Sequence, residues 1–468
     1  MSGYGDEVLE NSGRHARRRY IPRGPAAIGA GLIALALVAG LLAVAARRGP
    51  ERSEGVAATI VATPQPPPTL EPPPVVESWP RWGVTHTQYS ADNETDEVRS
   101  RAADLFSRVP VLQNQHIMGW GAGNPEPSPG KYDFRDLDRR VKLMAATKAQ
   151  PVLTLCCAPD WMKGGAEGRT NWGKIEVAPQ REHFDDFAAL AATVAKRYPT
   201  VTHYMVWNEF KGFWDEAHNN WDVEAYTDLY NRVYDALKAV NPKIQVGGPY
   251  VPVDSHVSSA NSSTVKGPWG SIDSRPLESI QYWLEHKKGA DFIVVDASSA
   301  TNDRGLVPDE FTALKKFSAV TAWLRERSGD LPVWWAEWYI SPDNIDWDEQ
   351  HRTAVQAAAM MEFARSGAAT ALYWNPQRRE GDDCPGCLWS PARGDEMPMA
   401  GLISGFTRWF PAGAALVDVQ TSDPRVQVLA VDKQMIMVNT AGAALKVQVD
   451  GRPFELRPYA VQWSDRGQ

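Results

Sequence analysis

The sequence predicts an α/β protein built on a (β/α)8 barrel, and three observations carry that expectation. Short β-rich runs recur at Trp82–Thr87, Val111–His116, Val152–Cys157, Val201–Trp207, Ile244–Gly247, Phe292–Asp296, Val333–Ala336 and Ala369–Trp374. Between most of them lie amphipathic helical stretches, and a repeat of roughly 30–50 residues suits strand–helix units closed into a parallel barrel. No glycine-rich phosphate loop follows the first run, which counts against the alternative of an open doubly wound sheet.

The helical stretches show their core faces directly. Val223, Tyr226, Leu229, Tyr230, Val233 and Leu237 keep the three-and-four spacing of one face, as do Phe184, Phe187, Leu190, Ala191 and Val194. The barrel is expected over residues 79–407. After about Arg408 the rhythm changes: Val417–Val419, Val426–Val431, Met435–Val438, Leu445–Val449 and Tyr459–Trp463 read as short strands parted by turn residues, among them Asp450-Gly451. Residues 408–468 should therefore form a small antiparallel β domain, too small to be secure alone and docked on the barrel.

The N-terminal stretch points to a compartment. Residues 1–24 form an Arg-rich tail with Arg14, Arg17, Arg18, Arg19 and Arg23, and Pro25–Ala46 runs 22 residues without a charge before Arg47-Arg48. At about 1.5 Å per residue such a helix spans a hydrocarbon core of roughly 30 Å. The expectation is a single transmembrane anchor over 25–46, with the Arg-rich tail cytoplasmic and the remainder outside. The rival is a cleaved signal peptide, since Ala43-Val44-Ala45 fits the small-residue cleavage pattern, but the apolar segment is long for that role. Both readings export the large domain. Residues 47–78, with Pro50, Pro64, Pro66, Pro67, Pro68, Pro72, Pro73 and Pro74, read as a semi-rigid linker.

Composition narrows the partners. A hydrophobic content of 43% excludes general disorder, and a net charge of −8 with no basic domain argues against a nucleic-acid partner. All 19 tryptophans lie from Trp79 onward, and broad indole faces suit sugar rings. Four cysteines are too few for a disulfide scaffold.

In a (β/α)8 barrel the chemistry sits at the C-terminal ends of the strands. Two glutamates close strongly apolar runs there: Glu209 after Tyr204-Met205-Val206-Trp207-Asn208, and Glu337 after Val333-Trp334-Trp335-Ala336. They end the fourth and seventh strands. Cleaving a glycosidic bond with retention needs two carboxyl groups roughly 5–5.5 Å apart; one protonates the leaving oxygen and then activates water, and the other attacks the anomeric carbon.

This pair resembles the retaining glycoside hydrolases of clan A, and loosely those of family 39, the β-xylosidases and related endo-acting enzymes. The resemblance covers roughly Trp79 to Arg408 and, in outline, the small β domain. It implies Glu209 as acid/base, Glu337 as nucleophile, Asn208 on the sugar 2-hydroxyl, and Trp374 in Tyr373-Trp374-Asn375 as the sugar platform. The chain departs from the family pattern in two places. Phe210-Lys211-Gly212-Phe213-Trp214 follows Asn-Glu where proline is usual, and strand six carries no His-x-Tyr but ends in Asp296.

Other mouth residues have a functional and a structural reading. His86, His116 and Trp120, near the ends of the first two strands, either bind sugar hydroxyls and a ring face or pack the mouth. Trp161, after Ala158-Pro159-Asp160, and Trp338 beside Glu337 read the same way. Asp296 is either a hydrogen-bonding group behind the site or a helix cap. Cys384 and Cys387 should pair as a short disulfide, since no second pair or histidine cluster accompanies them for zinc. Cys156 and Cys157, as strand neighbours pointing to opposite faces, are expected to be free buried thiols. No metal or cofactor is needed for the two-carboxylate chemistry. Three classes of function compete: a tethered retaining glycosidase acting on cell-surface or extracellular polysaccharide, a transglycosylase using the same glutamates, and a glycan-binding protein that no longer cuts. The intact glutamates argue against the last.

Overall fold

A computed structural model describes residues 81–466, except 93–94, 110, 341–344, 380 and 382. The tail, the expected transmembrane segment 25–46 and the linker lie outside the described residues. Among the described residues no helix is long and apolar enough to cross a membrane.

Eight parallel strands close a barrel: β1 (Trp82–Thr85), β2 (Leu112–His116), β3 (Gln150–Leu155), β4 (His203–Val206), β5 (Gln245–Pro252), β6 (Phe292–Ser298), β7 (Val333–Tyr339) and β8 (Thr370–Trp374), with β8 pairing back onto β1. Each neighbours the next in chain order, as short right-handed strand–helix crossovers require. The interior is filled by Leu112, Val152, Met205, Phe292, Val294, Trp334, Ala336 and Leu372. Above this plug a polar chain begins: Thr154 donates to Asn114 at 2.9 Å, Asn114 to Thr85 at 3.1 Å, and Thr85 to the Ala336 carbonyl at 2.7 Å. The barrel axis thus passes from apolar to polar just below the strand ends, where the glutamates emerge.

The outer helices are α1 (Asp96–Ser107), α2 (Arg135–Ala146), α3 (Phe184–Arg197), α4 (Val223–Val240), α5 (Ser274–His286), α6 (Lys315–Arg327), α7 (Glu349–Ser366) and α8 (Pro398–Trp409). Asp222, Asp273 and Asp348 cap α4, α5 and α7 by accepting hydrogen bonds from first-turn backbone amides. The apolar faces read from α3 and α4 are buried, except that Val223 is only partly covered. Helix α7 is apolar nearly all round, from Ala354 to Ala364, because it is packed between the barrel and a second sheet.

That second sheet has the antiparallel order β9 (Val426–Ala430), β10 (Gln434–Asn439), β13 (Val461–Asp465), accompanied by the hairpin β11 (Leu445–Val449) and β12 (Arg452–Leu456). Asp450 (φ 48°) and Gly451 (φ 76°) make the tight turn, both left-handed as the favoured two-residue hairpin demands. Two details differ from the sequence reading. Val417–Val419 is not a strand; its valines are partly buried in this sheet's core, and the Val417 amide donates to Ala430. Arg452–Leu456 is an additional strand, hidden in the sequence by Pro453, which sits on a two-stranded ribbon where its missing N–H is tolerated. The sheet docks on the barrel through Trp463 against Phe406 and Phe410, and through the Tyr459 ring stacked 3.7 Å from His351.

Candidate active site

Strand β4 stops at Val206, and the backbone then turns sharply: Trp207, Glu209 and Phe210 all have positive φ (67°, 51° and 51°). Left-handed backbone costs an L residue roughly 1–2 kcal/mol, so three in four positions must be held by their surroundings. Phe210 packs 4.1 Å from the Tyr226 ring, Trp207 donates through Nε1 to the Lys211 carbonyl at 2.8 Å, and the Lys211 amide donates to the Asn208 carbonyl. The result buries Glu209 at the mouth, with its side chain 11% exposed.

Glu337 reaches the same place from β7. The register between β6 and β7 shifts so that Asp296 lies opposite Glu337. A second irregularity on β5 is decisive: Val294 pairs with Pro249 and Val295 with Val251, leaving Tyr250 as the extra residue, with φ 55°. Such a bulge re-aims a side chain. Here it sends the phenol into the barrel, where it donates to Glu337 Oε1 at 2.5 Å.

Four carboxyls and one ammonium share this space. Lys211 Nζ lies 2.8 Å from Glu209 Oε2 and 2.8 Å from Glu176 Oε1. Burial pulls the Lys211 ammonium down, but the two carboxylates outweigh it and hold the pKa far above its usual value. Burial likewise raises Glu209, yet the Lys211 charge and hydrogen bonds from Asp296 and Lys211 bring it below its ordinary value. Asp296 is driven well above the carboxyl range by burial and by the charges of Glu209 and Glu337, so it stays protonated and donates to Glu209. Glu337 is pushed up to about 8 by burial and by the charge of Glu209, against the pull of the Tyr250 hydrogen bond and Lys211. The carboxylate charge therefore rests on Glu209, and the pair is coupled strongly enough to share a proton.

Around the carboxyls stand buried polar groups. Oδ1 of Asp296 makes no hydrogen bond, and His116 and Asn208 face each other without a well-formed one. Burial, reinforced by Lys211, lowers His116 to about 3, so its ring is neutral. Trp120 lies 4.3 Å from the His116 ring, tilted against it, and meets the Trp374 ring edge to face at 6.3 Å. Trp120 (φ 47°) is aimed by Gln115, which donates to its carbonyl, and Lys211 Nζ sits 5.6 Å over its ring.

The structure thus brings together Glu209, Glu337, Asn208, Asp296, His116, Trp120 and Trp374. Asp296 is a strand residue bonded to Glu209, not a helix cap. Three other residues lie elsewhere. His86 has both nitrogens engaged, by Gln113 at 3.0 Å and Ser90 at 2.8 Å, leaving none for a sugar hydroxyl. Trp338 alternates with Glu337 along β7 and so points outward, packing on Phe363 and Tyr373. Trp161 donates to the Glu126 carbonyl and packs against His183, with no contact to the carboxyl cluster. Conversely, sequence reasoning passed over Tyr250, Lys211, Glu176 and Tyr339, whose phenol interacts with Glu209, Asp296 and Glu337. Among the described residues no cluster of three or more His, Cys, Asp or Glu is arranged to hold a metal ion.

The cysteines require one correction. Cys156 and Cys157 are bonded to each other, not free. Strand β3 ends at Leu155, so the alternation that would separate the two side chains no longer applies. Cys384 and Cys387 are also bonded, in a loop tied to β8 by the Tyr373 hydroxyl donating to the Gly386 carbonyl at 2.9 Å. The protein unfolded without reductant should take up no alkylating agent, and after reduction it should be labelled at all four cysteines. Labelling of Cys156 and Cys157 before reduction, read by peptide mass spectrometry, would restore the free thiols.

Comparison with known proteins agrees with this geometry. Residues 124–367 match the model of glycosyl hydrolases family 39. A β-xylosidase of Geobacillus stearothermophilus is 24% identical in an alignment of 267 positions that covers 52% of this chain and 48% of that enzyme, so the chain spans about half the length of this relative. A family 39 β-xylosidase structure from Caulobacter crescentus superimposes with a TM-score of 0.53 at 17% identity, covering 80% of this chain and 81% of that one. The structure of SrfJ from Salmonella typhimurium gives 0.55 at 11% identity, covering 83% and 89%. These structural likenesses extend the shared fold on both sides of the family match, and since that match takes in more than half of the 468 residues and both strand-end glutamates, the chain belongs to glycosyl hydrolases family 39.

Proposed function

We propose that the protein is a glycosidase working with retention by double displacement, Glu337 attacking the anomeric carbon and Glu209 serving as acid and then base. The observation that supports it best is the coupled pair itself: two buried carboxyls from β4 and β7, one held by Tyr250, surrounded by buried polar groups. In the first step the Glu337 oxygen bonds to the anomeric carbon, the glycosidic bond breaks, and Glu209 delivers a proton to the leaving oxygen. In the second, a water oxygen bonds to that carbon, the Glu337 ester breaks, and the water proton passes to Glu209. This cycle begins with the shared proton on Glu209. A bound sugar favours that arrangement, because the glycosidic oxygen accepts from a protonated Glu209 and positive charge growing at the anomeric centre favours an ionised Glu337.

His116, Asn208 and Asp296 supply neutral hydrogen-bonding groups for sugar hydroxyls, and Trp374 with Trp120 supplies apolar faces. Similarity to β-xylosidases makes a β-xyloside the first substrate to try, and the exported position inferred from residues 25–46 favours a cell-surface or extracellular polysaccharide. The test is a panel of aryl β-glycosides of xylose, glucose, galactose and arabinose together with extracted envelope polysaccharides, with the anomer first released followed by NMR. Retention supports double displacement; release of the opposite anomer would replace it with a single displacement.

The tethered location is a separate proposal with its own outcome. With residues 25–46 as an uncleaved anchor, full-length protein should remain in membranes through carbonate washing, and external protease should release a folded fragment by cutting in the linker. A soluble mature protein beginning near Ala46 would show a cleaved signal peptide instead.

A further inference from the structure

Lys211 stands where the family usually has a different backbone: the residue after Asn-Glu is Phe210, not proline, and the chain then folds back so that Lys211 faces Glu209. Its other partner is delivered by a close approach. Gly212 (φ 80°) lies against the backbone of 176–178, where an added Cβ would come within 2.1 Å of the Ala178 nitrogen. Only glycine at this position lets the segment between β3 and α3 come near enough for Glu176 to reach Lys211. The ammonium is thereby fixed between two carboxylates, 16% exposed, with Trp120 beneath it.

We propose that Lys211 is a positioning residue for the second half of the reaction: clamped between Glu176 and Glu209, it keeps Glu209 ionised for the step in which that carboxylate takes a proton from water. This rests on reading Glu209 as the acid/base. Among the groups facing Glu209, Lys211 brings the positive charge and the largest lowering influence. Asp296 on β6 is a protonated donor, His116 on β2 is neutral, Tyr250 on β5 and Tyr339 on β7 keep their protons, and Glu337 on β7 is a neutral ester at that stage. Glu176, the remaining anion, opposes ionisation of Glu209 and is itself neutralised by Lys211. Without the ammonium, burial is opposed mainly by the Asp296 hydrogen bond, and Glu209 moves toward the protonated form, which cannot accept the water's proton. The same clamp works against the first step, where Glu209 must be an acid. Glycosylation is thus the step that leans on the leaving group.

The covalent intermediate isolates the effect, because Glu337 is esterified and no longer titrates with Glu209. The experiment accumulates it from the 2,4-dinitrophenyl 2-deoxy-2-fluoroglycoside of the sugar turned over fastest in the aryl glycoside panel, and follows reactivation against pH. Reactivation should fall on the acid side as Glu209 gains its proton. In Lys211→Met that limb should move up by about one to three pH units. Lys211→Arg should restore it. Glu176→Gln should move it down, since it removes an anion and leaves the whole ammonium charge to Glu209. Opposite shifts from the two partners of one lysine are not what a packing defect produces. If Lys211→Met does not fold, Glu176→Gln decides. An unmoved limb in Glu176→Gln, or slowing at every pH without a shift in Lys211→Met, overturns the proposal. Glu209→Ala, run alongside, separates the two levels: an unchanged pH profile there would remove Glu209 as the base.

Discussion

Glycine in place of Glu337 is expected to abolish turnover, lowering kcat by at least about 10^4-fold, because no covalent intermediate can form without the nucleophile. The site left behind is specific. Glu337 is buried and 5% exposed, and Tyr250 donates to it from 2.5 Å, so its removal opens a small polar gap beside a phenol donor. Azide or formate can enter that gap and attack the anomeric carbon from the nucleophile's side. An azide product should then carry the configuration opposite to the substrate's. The electrostatics refine the expectation: with the Glu337 carboxyl gone and Lys211 still paired to Glu209, the remaining carboxyl stays ionised at neutral pH. Rescue should therefore be strongest with dinitrophenyl leaving groups and should improve as pH falls. NMR of the azide product checks the configuration, and retained activity in Glu337→Gly without added anion would remove Glu337 from the chemistry.

The strands were legible because parallel strands buried on both faces are written as near-continuous apolar runs, such as Phe292–Val295 and Val333–Ala336. Glu209 and Glu337 were legible for a related reason: each is a charge immediately after such a run, where the barrel turns from apolar plug to open mouth. Tyr250 was not, because Gly247-Gly248-Pro249 reads as the end of a strand, whereas β5 continues through them to Pro252 and bulges at the tyrosine. No local pattern announces a bulge whose partner is a strand some forty residues later. The ionic contacts of Lys211 were hidden in the same way, since Glu176 comes from a segment between β3 and α3 that carries neither strand nor helix periodicity. The bond between Cys156 and Cys157 was missed by extending strand alternation one residue pair too far.

The free-state charges also bear on which glutamate does what. The resemblance to clan A enzymes implies Glu209 as acid/base, yet Glu209 is the ionised member and Glu337 the protonated one. These are properties of a coupled pair sharing a proton, and a small redistribution of charge on substrate binding moves it. Tyr250 prepares Glu337 for the ionised form, because a hydroxyl donor favours a carboxylate acceptor. The opposite assignment has Lys211 in its favour. Kinetics of the second glutamate therefore separate the two.

Glu209→Ala should differ from Glu337→Gly in a way that depends on the leaving group. The variant keeps the nucleophile, and loss of the neighbouring charge brings Glu337 down from about 8, so it is more fully ionised at neutral pH. Substrates with dinitrophenyl leaving groups need little acid assistance and should still form the intermediate at a rate near that of the unaltered enzyme. Alkyl glycosides and polysaccharide should react roughly 10^2- to 10^4-fold more slowly, the usual worth of general acid catalysis. The second step should then be slow for every substrate, because no base deprotonates the attacking water. A burst of dinitrophenolate followed by a low steady state is the expected time course. Azide needs no base, so it should raise the steady state, and its product should keep the substrate's configuration. Lys211 in this variant retains Glu176 as its only carboxylate partner, so the gap beside it is electropositive and suited to the anion. Equal loss in both variants for every leaving group, without rescue by azide, would argue against double displacement. Rescue with opposite stereochemistry in the two variants, inverted for Glu337→Gly and retained for Glu209→Ala, fixes the roles as proposed, and the exchange of those two outcomes reverses them.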